Sequence, residues 1–309
     1  MLGFLFKAVK TLLLVFVIVL LLPAIVVNIK QAFDGAVNPK VDVALLSVNG
    51  MIADAAVYTK RLDALLKDEN IKGLILRINS PGGYSGCCQA IFNEVTYFAK
   101  KKPVVAIIEN VGASGSYYIA AGAHRIIASP LSLVGSIGNY LELKNIKKLL
   151  TDWHVECSYV QTGKYKTAGS MTKDLSADEA IYLQKLSDDQ YNCFVQEIAQ
   201  ARKLDAAQHQ VWADGQIFTG KRALELKLID QLGSMTDAVA EIKKLAKLDD
   251  NDQVKLVVHS SREVGLLRQL LFGEGYEDGQ DFSLASGIAA VSQHVTAQFS
   301  GQQVPMSVC

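Results

Sequence analysis

Residues 73–83 read GLILRINSPGG. Positions 73 to 78 form a near-continuous apolar run of strand length, the pattern of a strand buried on both faces. The five residues that follow, Asn79 to Gly83, carry two glycines after a proline, so the backbone can turn with its amides facing a cleft that no side chain obstructs. A plain β-to-α turn has the same composition. Outward from this stretch, Val41–Val48 and Val104–Ile108 are two further runs of the same kind. Between the runs, Val57–Leu66 and Gln89–Phe98 have helical spacing, with Ile91, Val95 and Phe98 on one face. That alternation is βαβ wiring and predicts an α/β fold.

Further along, Val155–Val160 reads as a short strand ahead of a long helix, Ala177–Arg202. Ser176 and Glu179 form a capping box at the start of that helix. Ala180, Leu183, Phe194, Val195 and Ile198 give it one apolar stripe. Thr219–Leu226 and Thr236–Leu245 read as amphipathic helices, Val254–Val258 as a strand, and Glu263–Leu271 and Ser283–Ala297 as helices of a C-terminal extension. There is no internal repeat or low-complexity segment.

The chain has 309 residues with 31 basic and 31 acidic side chains. This balance removes the bulk electrostatic case for a nucleic-acid partner. Half of the residues are hydrophobic, which excludes a disordered or collagen-like chain. The mean hydropathy of +0.19 is high for a soluble domain, and the excess sits in Leu12–Val27, LLLVFVIVLLLPAIVV, sixteen residues without a charge. Extended to Val9 and Ile29, the run reaches the roughly 20 residues that cross a hydrocarbon core. It exceeds the usual apolar region of a cleaved signal peptide, and no small-x-small cleavage site follows closely. Residues 1–29 are therefore expected to be an uncleaved transmembrane anchor and 30–40 a linker, followed by a catalytic domain over 41–250 and an extension over 251–309. Lys7 and Lys10 precede the span, whereas Lys30 and Lys40 after it are offset by Asp34 and Asp42. The positive-inside bias then puts the N-terminus in the cytoplasm and the body on the exported side of the cell membrane. Cys87, Cys88, Cys157, Cys193 and Cys309 are odd in number with no C-x-x-C pair, so neither a disulfide framework nor a zinc site is expected.

Two other stretches have chemical character. Gly112–Tyr118, GASGSYY, follows a strand and opens a helix. A serine there is exposed beside free helix-terminal amides that suit an oxyanion, although Ser114 could equally cap the helix and Ser116 is a competing hydroxyl. Gly163–Ala168, GKYKTA, offers Lys164 and Lys166. A lysine acts as a base only where desolvation or neighbouring positive charge lowers its pKa from about 10.4 towards 7–8. His124, His154, His209, His259 and His294 are scattered and none lies in a glycine-framed loop. The G-x-S-x-G elbow of α/β-hydrolases fails by one residue, because its fifth position is Ser116.

Taken together, five ordered blocks resemble the signal peptide peptidase A (protease IV) family of serine peptidases. They are INSPGG (78–83), ASGSYYIAA (113–121), SPLSLVGSIG (129–138), TGKYKTA (162–168) and ADGQIFTGKRALELKLIDQLG (213–233), within a resemblance spanning Val43 to Ile242. The resemblance implies a ClpP/crotonase-like βαβ superhelical fold. Ser114 then matches the nucleophile, Lys166 the general base, and the amides of Gly83 and Gly115 the oxyanion hole, with Lys164 a flanking residue. It also implies hydrolysis of membrane-associated peptides such as cleaved signal peptides, with no metal or cofactor. A further implication is a homo-oligomeric ring in which Ser and Lys of one site come from neighbouring subunits. Two departures stand out. Ser116 replaces the second glycine after the nucleophile and is expected to narrow the first substrate pocket, and Cys87 and Cys88 stand where smaller or aliphatic residues are usual. The chain has room for one copy of the domain rather than a tandem pair. A crotonase-type acyl-CoA enzyme and a catalytically inactive membrane scaffold are the rival classes.

Overall fold

Strand β1 (Lys40–Ile52) lies between β2 (Ile71–Gly83) and β8 (Gln253–His259), and all three run parallel. This computed structural model describes residues 40–249 and 253–259, together with the isolated position 22. β3 (Val104–Ala113) adds to the other side of β2. The far edge of β3 is shared by β4 (Arg125–Ala128) along its first half and β5 (Leu133–Gly135) along its second. β6 (Ile217–Thr219) closes that end antiparallel to β5, and β7 (Gln231–Leu232) pairs with β4. The result is a mixed sheet of eight strands.

Helices cover both faces, which explains why the strands are apolar throughout rather than alternating. Because successive strand residues point to opposite sides, Leu74, Leu76 and Ile78 enter one core while Ile75 enters the other. The larger core is filled by α1 (Ala56–Lys67), α2 (Ser85–Ala99), the seven-residue α3 (Gly115–Ala121) and the C-terminal half of α5 (Ala177–Arg202). A short helix, α4 (Lys147–Asp152), precedes α5 in the chain. The remaining helices are α6 (His209–Trp212), α7 (Gly220–Glu225) and α8 (Met235–Leu245). α8 covers the opposite face with Ala238 and Ile242 against Ile75, Val105 and Ile127.

Three expectations need correction. Asn79–Gly83 is not a turn: the β1–β2 ladder continues through Met51↔Gly82 and Ile52↔Gly83 after a register shift. The irregularity lets Pro81 stay in the strand, since proline cannot donate to a regular ladder. Val155–Val160 forms no strand and is exposed throughout. Despite its β-type composition it pairs with no strand among the described residues. In α5 the capping box is present, with Glu179 N donating to Ser176 Oγ at 3.3 Å and Ser176 N to Glu179 Oε2 at 3.1 Å. The apolar stripe is only partly used: Phe194, Val195 and Ile198 are buried, whereas Leu183 is half-buried and Ala180 faces outward.

Apart from Leu22 and Lys40, the predicted anchor and linker lie outside the described residues, as do the two C-terminal helices. Among the described residues no helix is long and apolar enough to cross a membrane.

Helix α3 is buried along its whole length, and its position sets that of the preceding residue, Ser114. Tyr117 is fully buried and donates its hydroxyl to the Leu228 carbonyl at 2.8 Å. Tyr117→Phe keeps the ring but leaves that carbonyl unpaired, so it should lower unfolding free energy by about 1–3 kcal/mol. Urea denaturation at an unchanged m-value measures this, and an unshifted midpoint would show that the hydroxyl does not anchor the helix.

Candidate active site

Ser114 is the single residue between β3 and α3, and its backbone has φ 53° and ψ −126°. A non-glycine residue held there costs on the order of 1–3 kcal/mol and persists only where its surroundings fix it. Two bonds do so: Ser114 N donates to the Gly135 carbonyl at 2.7 Å, and the Ser114 carbonyl accepts from Tyr118 N at 3.0 Å. The side chain makes no capping bond to the helix. Its hydroxyl lines a cavity of about 310 Å³, so capping does not explain this serine.

Ser116, the competing hydroxyl, is fully buried. It faces the Ser80 carbonyl at 2.6 Å and the Ala113 carbonyl at 2.9 Å. Ser80 in turn donates to the Gly50 carbonyl at 2.6 Å and accepts from Gly82 N at 3.1 Å. The two serines stitch the ends of β1, β2 and β3 together. Ser116 therefore does not border the cavity, which corrects the expectation that its Cβ narrows the substrate pocket.

Gly83 and Gly115 are required by close backbone approach. A Cβ on Gly83 would lie 2.0 Å from the Ile52 carbonyl oxygen, and one on Gly115 would lie 2.2 Å from Cys88 Sγ and 3.4 Å from the Gly83 nitrogen. Two backbone segments that no side chain can separate are thus brought side by side at Ser114. Both glycines line the same cavity as the serine. Gly115 opens α3, where first-turn amides have no intrahelical acceptor.

The remaining walls come from α2 and α5. Cys88 is buried against Gly115, and its thiol is pushed up to about 12 by burial, with Cys87 adding to the effect. It stays protonated and does not rival the serine. Tyr118 stacks between Phe92 and Phe194, at ring separations of 4.7 and 4.4 Å. Its hydroxyl donates to Glu197, and burial first, then that carboxylate, raises its pKa. Gln89 donates to Glu197 at 3.1 Å and approaches Cys193 Sγ at 3.2 Å. A larger cavity of about 580 Å³, bordered by Phe92, Thr96, His124 and Glu197, lies on the other side of this polar group and does not include Ser114.

The structure brings Ser114, Gly83 and Gly115 together and does not bring Lys166 to them. Lys166 is exposed in a turn whose amide bonds to the Gly163 carbonyl at 3.2 Å, and it does not line the cavity. Lys164 pairs with Asp178 at 2.5 Å, and that bond raises its pKa, which keeps it charged and unsuited to act as a base. Tyr165 stacks on Tyr182. Of the histidines, His124 Nδ1 accepts from Val104 N at 3.1 Å and His209 Nδ1 faces the Tyr191 hydroxyl at 2.9 Å, both structural pairings. Sequence reasoning missed Gln89, Tyr118, Asp189, Cys193 and Phe194 as cavity residues. Three of them lie about 75 residues from Ser114 on α5, and nothing local marks them.

Residues 96–249 match the model of peptidase family S49. A protein of Methanocaldococcus jannaschii named as a "putative protease" is 34% identical over 228 residues, covering 74% of this chain and 73% of that one. A protein of Synechocystis with the same description is 37% identical over 216 residues, covering 69% and 77%. One of Enterococcus faecium, named "putative signal peptide peptidase SppA", is 32% identical over 231 residues, covering 70% and 67%.

Ser114→Ala should abolish labelling by a fluorophosphonate. Ser116→Ala should retain labelling while losing about 1–3 kcal/mol of stability, the cost of stranding two buried carbonyls. Labelling that survives in the first variant and vanishes in the second would reverse the assignment.

Proposed function

The chain belongs to peptidase family S49 and is a serine peptidase, and from that premise we propose a membrane-anchored endopeptidase whose Ser-Lys dyad is completed between copies of the chain. The observation that carries the proposal is Ser114. It has a strained backbone, no capping bond, and the amides of Gly83 and Gly115 beside it on one cavity. In the proposed reaction, Ser114 Oγ attacks the peptide carbonyl carbon while the neutral amine of Lys166 takes the hydroxyl proton. The amides of Gly83 and Gly115 donate to the oxyanion. As the tetrahedral intermediate collapses, the ammonium returns its proton to the departing amine, leaving an ester on Ser114. Water activated by the same amine then releases the acid. No metal or cofactor takes part, and Ser114 has no such role in an acyl-CoA enzyme.

Lys166 reaches its place from a neighbouring copy. Its turn belongs to a stretch between β5 and α5 that exposes large apolar side chains, among them Trp153 at 70%, and the first half of α5 adds Ile181 at 69%. Exposed large apolar side chains of this kind fit a protein partner, and a ring of identical chains is the occupant that also supplies the missing base. On this reading the fold is the ClpP/crotonase-like superhelix. Residues 1–29 form the single membrane span, with the N-terminus in the cytoplasm and the catalytic domain on the exported side. Substrates are membrane-associated polypeptides such as cleaved signal peptides, which share the bilayer with the anchor.

Mixing two dead variants tests the shared site. Ser114→Ala and Lys166→Ala are each inactive, but co-assembled in equal amounts they should recover about a quarter of the wild-type rate, because one site in four pairs an intact serine with an intact lysine from its neighbour. No recovery in verified mixed oligomers would place the dyad within one chain. Activity should also fall with decreasing pH as the amine gains its proton, and a flat profile between about pH 6 and 9 would argue against a lysine base.

A further inference from the structure

We propose that the cavity beside Ser114 selects a basic substrate side chain, with the carboxylate of Asp189 as its counter-ion; this rests on Ser114 being the nucleophile, which makes the cavity the pocket for the residue on the acyl side of the cut bond. Among the described residues, Asp189 is the only charged one that lines the cavity. It makes no hydrogen bond or ion pair among the described residues, although Lys185 lies one helical turn earlier. Asp189 is exposed on the wall of the cavity that Ser114 also lines, and a carboxylate there without a protein partner is available to a ligand cation.

The other walls suit the rest of such a side chain. Cys88, Tyr118 and Phe194 are all buried and offer an apolar slot for the methylene stem of lysine or arginine. Asn139 and Gln190 also border the cavity and bring amide oxygens that can accept further N–H bonds.

The electrostatics behind the wall act in the same direction. Glu197 takes its hydrogen bonds from Tyr118, Gln89 and Cys193, none of them a cation. Burial and that carboxylate raise the pKa of both Tyr118 and Cys193, which keeps these wall groups neutral. An acidic side chain would be repelled, and an apolar one would cover Asp189 without pairing it.

The main rival use of Asp189 is to hold the incoming Lys166. That pairing would raise the amine's pKa and keep it protonated, the opposite of what a base requires.

The test compares two otherwise identical fluorescent peptides, one with lysine and one with norleucine, which has lysine's carbon chain without the ammonium, at the residue preceding the cut. Binding is measured on the assembled full chain carrying Ser114→Ala, with and without Asp189→Asn. The lysine peptide should bind more tightly, the lysine-to-norleucine affinity ratio should fall about tenfold in Asp189→Asn, and the preference should weaken with added salt. Asp189→Lys should reverse it. An affinity ratio that is the same with and without Asp189→Asn overturns the proposal, as does an Asp189→Asn change confined to the pH profile of the active enzyme, which would assign Asp189 to Lys166. If binding follows the expected pattern but wild type cleaves neither peptide, the pocket stands and the catalytic reading of Ser114 falls.

Discussion

Everything at the candidate site depends on backbones approaching more closely than side chains allow. Gly83 sits against the Ile52 carbonyl and Gly115 sits beneath Cys88, each at a distance that leaves no room for a Cβ. These approaches are possible because β1, β2 and β3 stay paired and parallel past the end of their apolar stretches, through a register shift in each ladder, with Ile52↔Gly83 and Ser80↔Gly112 as the last pairs. The sheet thus delivers two amide-bearing segments to one point and carries Ser114 to the same point on the next residue of β3. The buried hydroxyls of Ser80 and Ser116 hold the three strand ends together there. A strained serine backbone is tolerable only inside such a frame.

How much of this could be read in the sequence follows from the range of each interaction. The cores of β1, β2 and β3 were legible because strands covered on both faces must be apolar throughout. The start of α5 was legible because a capping box is a contact between residues three apart. The far end of β2 was misread, since Asn-Ser-Pro-Gly-Gly has the composition of a turn and only its pairing with β1 shows that the ladder goes on. Val155–Val160 was misread for the opposite reason: strand-forming residues make a strand only where an edge receives them, and none does so among the described residues. Ser114 could be found from its position between a strand and a helix, and the burial of Ser116 away from the cavity separates the two hydroxyls. The α5 wall of the cavity had no local signal at all.

The polar group formed by Tyr118, Glu197, Gln89 and Cys193 gives the site a second layer. It separates the cavity at Ser114 from the larger one behind, and Tyr118 takes part in both its hydrogen bonding and the aromatic stack with Phe92 and Phe194. Such a network ties the shape of the pocket to the packing of α2 against α5. Networks of this sort are rigid when every member is bonded, so the pocket wall is built from the same contacts that hold the larger core.

The exposed position of Lys166 has one more consequence. On the proposed reading, in which Ser114 is the nucleophile and Lys166 serves a neighbouring copy, a chain is harmless while alone. On that reading, newly made protomers at low density would hold a preformed but silent centre, and the rate would climb with the second or higher power of their concentration. Crowding of the chains on a surface, rather than removal of an inhibitory segment, would then act as the switch from precursor to enzyme, and dilution would turn it off again without any covalent change.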